Sequence, residues 1–419
     1  MLKRHLYAMF ALFVTGVLLV PNFSLYHTPP ADRDQPDRQN LRQLRFIRGA
    51  LDDGAGNDMQ ALFPEGYFFT HVLYGLAWID LGLQPHSSAS FRSQAIDEAR
   101  WVLDQIDSDA GRAPFSSQLD PPYGVFYNGW NSWLRGGLLK LQSPDQRDPA
   151  EIARFVADTA ALAAAFDRSD TPFLAAYPAQ AWPVDSVVAI AALRLHDSIF
   201  TPRYSATITR WIEEAQARAD PATGLLPHRV DPSSGDLIDG TRGSSQSLIA
   251  RFLVEIDAAW GEDQYRRFRE QFVDTPHGIP GVREYPRGVA GSGDVDSGPL
   301  IFGLSASATA VTLGAAYIHN DRSLATPIEQ LADTVGVPMR VNNTRRYLFG
   351  QIPVADAFLV WSRTARPWIA PQPASNYPPI VAWWWRWPVH LISLLVIGAV
   401  WLPIRWIRPR RRILVAARR

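Results

Sequence analysis

Apolar positions recur at helical spacing along most of the chain, and strand-like alternation is weak. The spacing predicts helices near 39–51, 66–83, 91–107, 127–142, 149–167, 183–197, 202–219, 245–260, 262–273, 297–318, 322–336 and 353–365. Two kinds alternate. Stretches such as ASFRSQAIDEARWVLDQI, PAEIARFVADTAALAAAF and YSATITRWIEEAQARA are amphipathic and charged. Stretches such as GYFFTHVLYGLAWIDLGL, PVDSVVAIAALRLH and SGPLIFGLSASATAVTLGAAYI are apolar nearly all round and rich in small residues. A helix that is apolar on every side has to be buried. Outer and buried helices alternating six times predict an all-α fold, an (α/α)6 toroid of about twelve helices with the buried set as its inner ring.

The two ends depart from this pattern. Residues 6–20 are continuously apolar and follow Lys3 and Arg4, the shape of a secretory signal or an uncleaved anchor. No small-x-small cleavage site follows closely, so the segment reads as an anchor. Residues 387–404 are mainly apolar and just long enough to cross a bilayer. Trp383, Trp384, Trp385 and Trp387 precede them as an interfacial belt, with Trp401 and Trp406 near the other end. Arg405, Arg408, Arg410, Arg411 and Arg412 follow. By the positive-inside rule both termini are cytoplasmic, and the chain between them is periplasmic or extracellular. The expected order is an anchor over 1–27, a linker over 28–40 and the barrel over 41–365. A Pro-rich linker over 366–380, a transmembrane helix over 381–406 and a basic tail over 407–419 complete it. Residues 300–318 also have the length of a span. Ser305, Ser307, Thr309 and Thr312 suit lipid poorly, and the stretch reads as an inner helix.

Composition narrows the chemistry. Among 419 residues, Lys plus Arg equals 41 and Asp plus Glu equals 41, so bulk charge implies no nucleic-acid partner. Cysteine is absent, which removes thiolate nucleophiles, Cys-bound metals and disulfides. There is no HExxH, no Walker loop, no GxGxxG opening a helix and no GxSxG. No metal or cofactor is expected. The 15 Trp residues are enough to line a pocket as well as a core.

In such a toroid the connections leading into the inner helices open on one rim. Glu65 precedes the first inner helix, and Tyr127, Asn128 and Trp130 open the second. Tyr177, Trp182 and Asp185 open the third, and Arg242 and Gln246 the fourth. Tyr285, Asp294 and Asp296 precede the fifth. Paired carboxylates among aromatic faces suit acid/base work on a sugar: one protonates a leaving oxygen while the other activates water or attacks. Asp185 and Asp296 are the expected pair, with Glu65 and Asp294 as further candidates. Tyr127, Asn128, Trp130, Tyr177, Trp182, Arg242, Gln246 and Tyr285 are the expected binding residues. Structural readings compete. Asp296 or Ser297 could cap the fifth inner helix, with Pro299 in its first turn. Asp185 could simply complement a helix dipole, and His71 could be a core histidine.

The order FYNGWNSW, YPAQAWPVDSVVAIAAL, DPATGLLPHRVDPSSG and GSGDVDSGPLIFGLSAS resembles the linalool dehydratase/isomerase-like domain of the six-hairpin glycosidase-like superfamily, over about residues 120–335. The resemblance implies an (α/α)6 barrel with a pocket on this rim and cofactor-free chemistry. It carries over poorly at the residue level. Trp130 stands where the family has a histidine, and AAYPAQAWPVDS holds none of its cysteines. The expected protein is a membrane-anchored hydrolase or lyase of an envelope carbohydrate. Two alternatives stay open: a hydratase or dehydratase of a hydrophobic alcohol, and a non-catalytic glycan- or lipid-binding scaffold. The expected partners are a small-molecule or glycan substrate and the bilayer.

Overall fold

The computed structural model describes residues 2–27, 33–34, 36–374 and 376–405. The basic tail expected over 407–419 lies outside the described residues, as does Trp406. The first half of the chain forms helices α1 (Leu2–Ser24), α2 (Arg38–Asp52), α3 (Ala55–Leu62), α4 (Gly66–Gly82), α5 (Ala89–Ile106), α6 (Asp109–Arg112), α7 (Gly124–Leu141) and α8 (Pro149–Arg168). The second half forms α9 (Pro183–Ile199), α10 (Ser205–Ala217), α11 (Gly243–Ile256), α12 (Ala258–Phe272), α13 (Ala306–Ile318), α14 (Arg322–Val335), α15 (Pro353–Thr364) and α16 (Trp387–Trp401).

Helices α4, α7, α9, α11, α13 and α15 each pack on the next, and α15 packs back on α4. The six therefore close a ring. Outside it, α5, α8, α10, α12, α14 and α2 lie against α4, α7, α9, α11, α13 and α15. This is the arrangement of an (α/α)6 toroid. Burial follows the two sequence patterns. From Pro183 to His196, α9 buries every residue but Arg194, whereas α5 buries only the stripe Ala95, Ala99, Val102, Leu103 and Ile106. Small residues let the inner helices approach closely. A Cβ on Gly129 of α7 would come within 3.0 Å of the Ala189 amide nitrogen of α9.

Among the described residues, seven short strands form three antiparallel patches. β1 (Arg229–Val230) pairs with β2 (Leu237–Asp239), and β6 (Met339–Val341) with β7 (Thr344–Arg346). Between them β3 (Val273–Asp274), β4 (Gly281–Arg283) and β5 (Leu304–Ser305) form a sheet in that order, with Val282 opposite both Val273 and Ser305. All seven lie in connections that lead into inner helices, so they stiffen one end of the ring.

Two expectations need correction. The helix expected from residue 297 begins only at Ala306. Gly298, Phe302 and Gly303 take φ values of 65°, 54° and 82°, which turn the chain instead of starting a helix. The cap is Ser305, whose Oγ accepts the Ala308 amide at 3.1 Å, so neither Asp296 nor Ser297 caps α13. The stretch expected as a linker from residue 366 begins as a plug. The Glu255 carboxylate accepts the amides of Trp368, Ile369 and Ala370 at 2.6, 2.9 and 3.0 Å. The Trp368 ring stacks on Trp133, centroids 4.5 Å apart, and its Nε1 donates to buried Asp80 at 2.7 Å. Asp80 also pairs with buried Arg251 at 3.2 Å. The plug closes the end of the ring opposite the strands.

Candidate active site

Asp185 lies in the first turn of α9, where Pro183 sets the helical φ and removes an amide that would find no partner. Its side chain is 6% exposed. Desolvation raises its pKa well above the usual carboxylate range, and the charges of Glu65 and Asp296 add to the rise. Three acidic groups at this end of the ring thus lie within reach of one another's charge: Glu65 before α4, Asp185 in the first turn of α9 and Asp296 before α13. Asp296 is exposed, though neighbouring protein partly desolvates it. Its pKa rises to about 6, through desolvation first and then the charges of Asp294 and Glu65.

Tyr177 joins the cluster. Its hydroxyl donates a short hydrogen bond to Glu65 Oε1, and its own ionisation is disfavoured by burial and by Glu65, Asp185 and Asp296. Desolvation raises the Glu65 pKa, and this hydrogen bond works against the rise. Trp182 stands edge-on to Tyr177, centroids 5.7 Å apart, and both rings are half-buried. Together they form an aromatic wall beside the carboxylates.

The arrangement can do acid/base chemistry. Asp185, whose pKa burial raises, is the group that more readily holds a proton and can donate it. Asp296 is ionised above about pH 6 and can accept one. Among the described residues, no three His, Asp or Glu side chains stand close enough to hold a metal ion.

No protein-family model matches the chain, and no curated protein matches it in sequence. Several solved structures are similar in shape, two of them as follows. One is a GH76 α-mannanase of Bacteroides thetaiotaomicron, with 8% identity, 82% of this chain and 98% of that chain covered, and a TM-score of 0.49. The other is a D-mannose isomerase, with 10% identity, 91% and 100% covered, and a TM-score of 0.43. Likeness at this level says nothing of chemistry, so the site has to be read from its own groups.

The other expected residues take different places. Asp294 pairs closely with Arg242, which also bonds Asp239 at 2.8 Å. Its carboxylate accepts the amides of Asp296 and Ser297 at 3.1 and 3.0 Å, so it shapes the loop that presents Asp296. These contacts hold its carboxyl below the usual range despite partial burial. Arg242 lies 5.3 Å from the Tyr285 ring, and the Tyr285 hydroxyl donates to the Ser292 carbonyl at 3.0 Å. Arg242 and Tyr285 therefore brace the same loop. Asn128 is turned back to the carbonyls of Pro122 and Gly124 at 2.7 and 2.8 Å.

Tyr127, Trp130 and Gln246 do not reach the cleft wall. Trp130 is 1% exposed and packs edge-to-face on Phe69, Phe252 and Trp361, because a helix apolar all round turns this face to the core. The Tyr127 hydroxyl donates to Asp107 at 2.6 Å, and buried Gln246 donates to the Leu226 carbonyl at 2.6 Å. His71 is a core histidine, bonded to the Tyr67 carbonyl at 2.8 Å and pushed down to about 4 by burial. Sequence reasoning passed over His228, which meets Ser245 at 2.7 Å behind Arg242. No local motif marks it, and only the β1–β2 hairpin brings it there. A polar cavity of about 220 Å³ lies at the other end of the ring, between the plug and Arg33, Tyr317 and Arg322, remote from the carboxylates.

Proposed function

We propose that the chain is a membrane-anchored acid/base enzyme, a hydrolase or lyase acting on a carbohydrate of the cell envelope. The observation that carries this is that Glu65, Asp185 and Asp296 act on one another's ionisation at one end of the ring, with Tyr177 bonded to Glu65 and Trp182 beside it. Their settings differ, which divides the labour: Asp185 is buried, whereas Asp296 is exposed. Asp185 is the general acid and gives its proton to the leaving glycosidic oxygen. Asp296 is the general base. In hydrolysis it takes a proton from water while the water oxygen bonds to the anomeric carbon and the C–O bond breaks. In elimination it takes the proton from a neighbouring carbon instead. Tyr177 and Trp182 offer faces on which a sugar ring packs. Asp294, Arg242 and Tyr285 position the loop that carries Asp296.

Two features support the anchoring. Residues 4–24 and 387–404 are long and apolar enough to cross a membrane, and little of either is buried. The two helices also pair. Asn22 meets Ser393 at 2.8 Å and His390 at 2.6 Å, and Trp401 Nε1 donates to Thr15 at 3.0 Å. Such contacts favour retention of α1 as an anchor over its cleavage as a signal. With positive residues flanking the outer ends, the barrel faces the periplasm or the cell exterior.

The direct test is reducing-sugar release from an envelope glycan fraction by the full chain. Asp185→Asn and Asp296→Asn should stay folded and lose roughly 10²–10⁴-fold in rate, the usual worth of a general acid or base. Wild-type rates in both would end the assignment.

A further inference from the structure

The two terminal segments leave the barrel at the same end, and that end carries the carboxylates. Inner helices begin there, so outer helices return to it. The N-terminal segment can be followed along α14. Arg33 sits at the plug end, bonded to the carbonyls of Arg363 and Ala365 and lying over the Tyr317 ring. Backwards from it, the His27 carbonyl accepts from Gln330 at 2.8 Å and the Pro21 carbonyl from Thr334 at 3.4 Å. The chain thus climbs α14 to its last turn, and the rest of α1 continues past it.

The C-terminal segment makes the same climb along α12. Gln372 donates to the Tyr317 carbonyl at the plug end, 2.7 Å away. Tyr377 then bonds Glu262 near the start of α12, and Pro378 accepts from Arg269 two turns on. The Trp384 ring abuts Gly278, in the turn between β3 and β4 at the carboxylate end. Helix α16 starts three residues later.

The dimensions agree. Residues 5–24 of α1, inside the flanking Lys3 and Arg4, span about 30 Å at 1.5 Å per residue, the thickness of a hydrocarbon core. Pro21, Thr334 and Trp384 then lie at the interface, within a turn of the end of α1. The barrel's apolar exposure has the same address. Among the described residues outside 1–27 and 383–405, every exposed large apolar side chain lies in a connection leading into an inner helix or in the last turn of α14. Phe302, Phe349, Val295 and Val335 are 56%, 65%, 63% and 66% exposed. Phe302 packs against His277, one residue from the glycine that meets Trp384. Apolar side chains gathered on one face and level with a tryptophan belt match a surface resting on lipid.

We propose that the carboxylate cleft opens onto the bilayer surface, and that its substrate is a saccharide carried on a membrane lipid. The sugar reaches Asp185 and Asp296 while its lipid stays in the membrane. This rests on the readings of α1 and α16 as membrane helices and of the cleft as the reacting site.

The absence of native cysteine makes the test direct. Full-length Phe302→Cys, Val335→Cys and Phe349→Cys, each carrying one fluorophore, are placed in nanodiscs of brominated phosphatidylcholine. Leu395→Cys in α16 and Asp145→Cys at the plug end serve as references. Quenching at 395 and at the three rim positions, with none at 145, is expected. Quenching at 395 but at no rim position would leave the anchoring intact and overturn the inference. No quenching at 395 would remove the anchoring itself, and the inference with it. The substrate class has its own arm. Reducing-sugar release from an envelope glycolipid fraction built into the nanodisc should be at least 10-fold faster than from the water-soluble glycans cut from that fraction. Release that is equal, slower or absent would overturn the lipid-linked substrate, whatever the labels report.

Discussion

At the residue scale, the site keeps carboxylates where water solvates them poorly and where Glu65 raises the pKa of both Asp185 and Asp296. That arrangement opposes stability. A carboxyl whose folded pKa lies above its unfolded value of about 4 binds more protons folded than unfolded, so stability falls as pH rises through that interval. For Asp296 the window runs from about 4 to about 6, and Asp185, raised well above the usual carboxylate range, acts in the same direction. Asp185→Asn cannot ionise, so it should unfold at a higher temperature than wild type at pH 7. The gain should shrink below about pH 4, as calorimetry across pH can show. The same shifts shape activity. The rate should rise as Asp296 ionises near pH 6 and fall where Asp185 loses its proton. Asp296→Asn should remove the lower limb of that profile.

At the element scale, α13 illustrates how a loop gains freedom to hold a functional group. Because Ser305 caps the helix, the Asp294 and Asp296 side chains are not needed for its start; the loop is held to α13 through its backbone, Ser307 donating to the Asp296 carbonyl at 2.6 Å and Ser305 to the Ser297 carbonyl at 2.9 Å. Ser305→Ala should lower stability by about 1 kcal/mol in denaturant unfolding, whereas Asp296→Ala should cost α13 nothing. The plug is the opposite case, an apparent linker on which the ring depends. Trp368 fills the space beside Trp133 and satisfies Asp80. Trp368→Ala should cost about 3–5 kcal/mol and expose residues 366–380 to limited proteolysis.

At the scale of the whole molecule, the ring has one closed end and one open end. The closed end spends its buried charge on structure: Asp80 with Arg251, and Glu255 with three backbone amides. The open end carries the strands, the carboxylates and the exposed apolar rim, and both terminal helices leave from it. A bilayer across those helices puts the closed end farthest from the membrane. A periplasm-dependent reporter inserted within residues 143–148, at the closed end, should be active. The same reporter after Arg419 should be silent. The reverse pattern would place the barrel in the cytoplasm.

The ring itself was legible in the chain, because all-round apolar helices such as α4 and α9 have nowhere to go but inside. The carboxylate positions were legible too, since loops before buried helices must share an end once the helices close a ring. Which groups meet was not. Trp130 and Tyr127 carry the same local signals as Trp182 and Tyr177, but the first pair lies inside α7, which turns them to the core, whereas the second lies in the connection before α9 and stays half-buried. The start of α13 was misread because Gly298 and Gly303 adopt positive φ through their long-range setting, a choice that propensity does not record. The plug was unreadable for a similar reason, as its amides find Glu255 more than a hundred residues back. Sequence alone determined what must be buried, since hydrophobic periodicity is local. Which polar groups share a cleft, and which way that cleft faces, depends on contacts between distant segments, and those exist only in the folded chain.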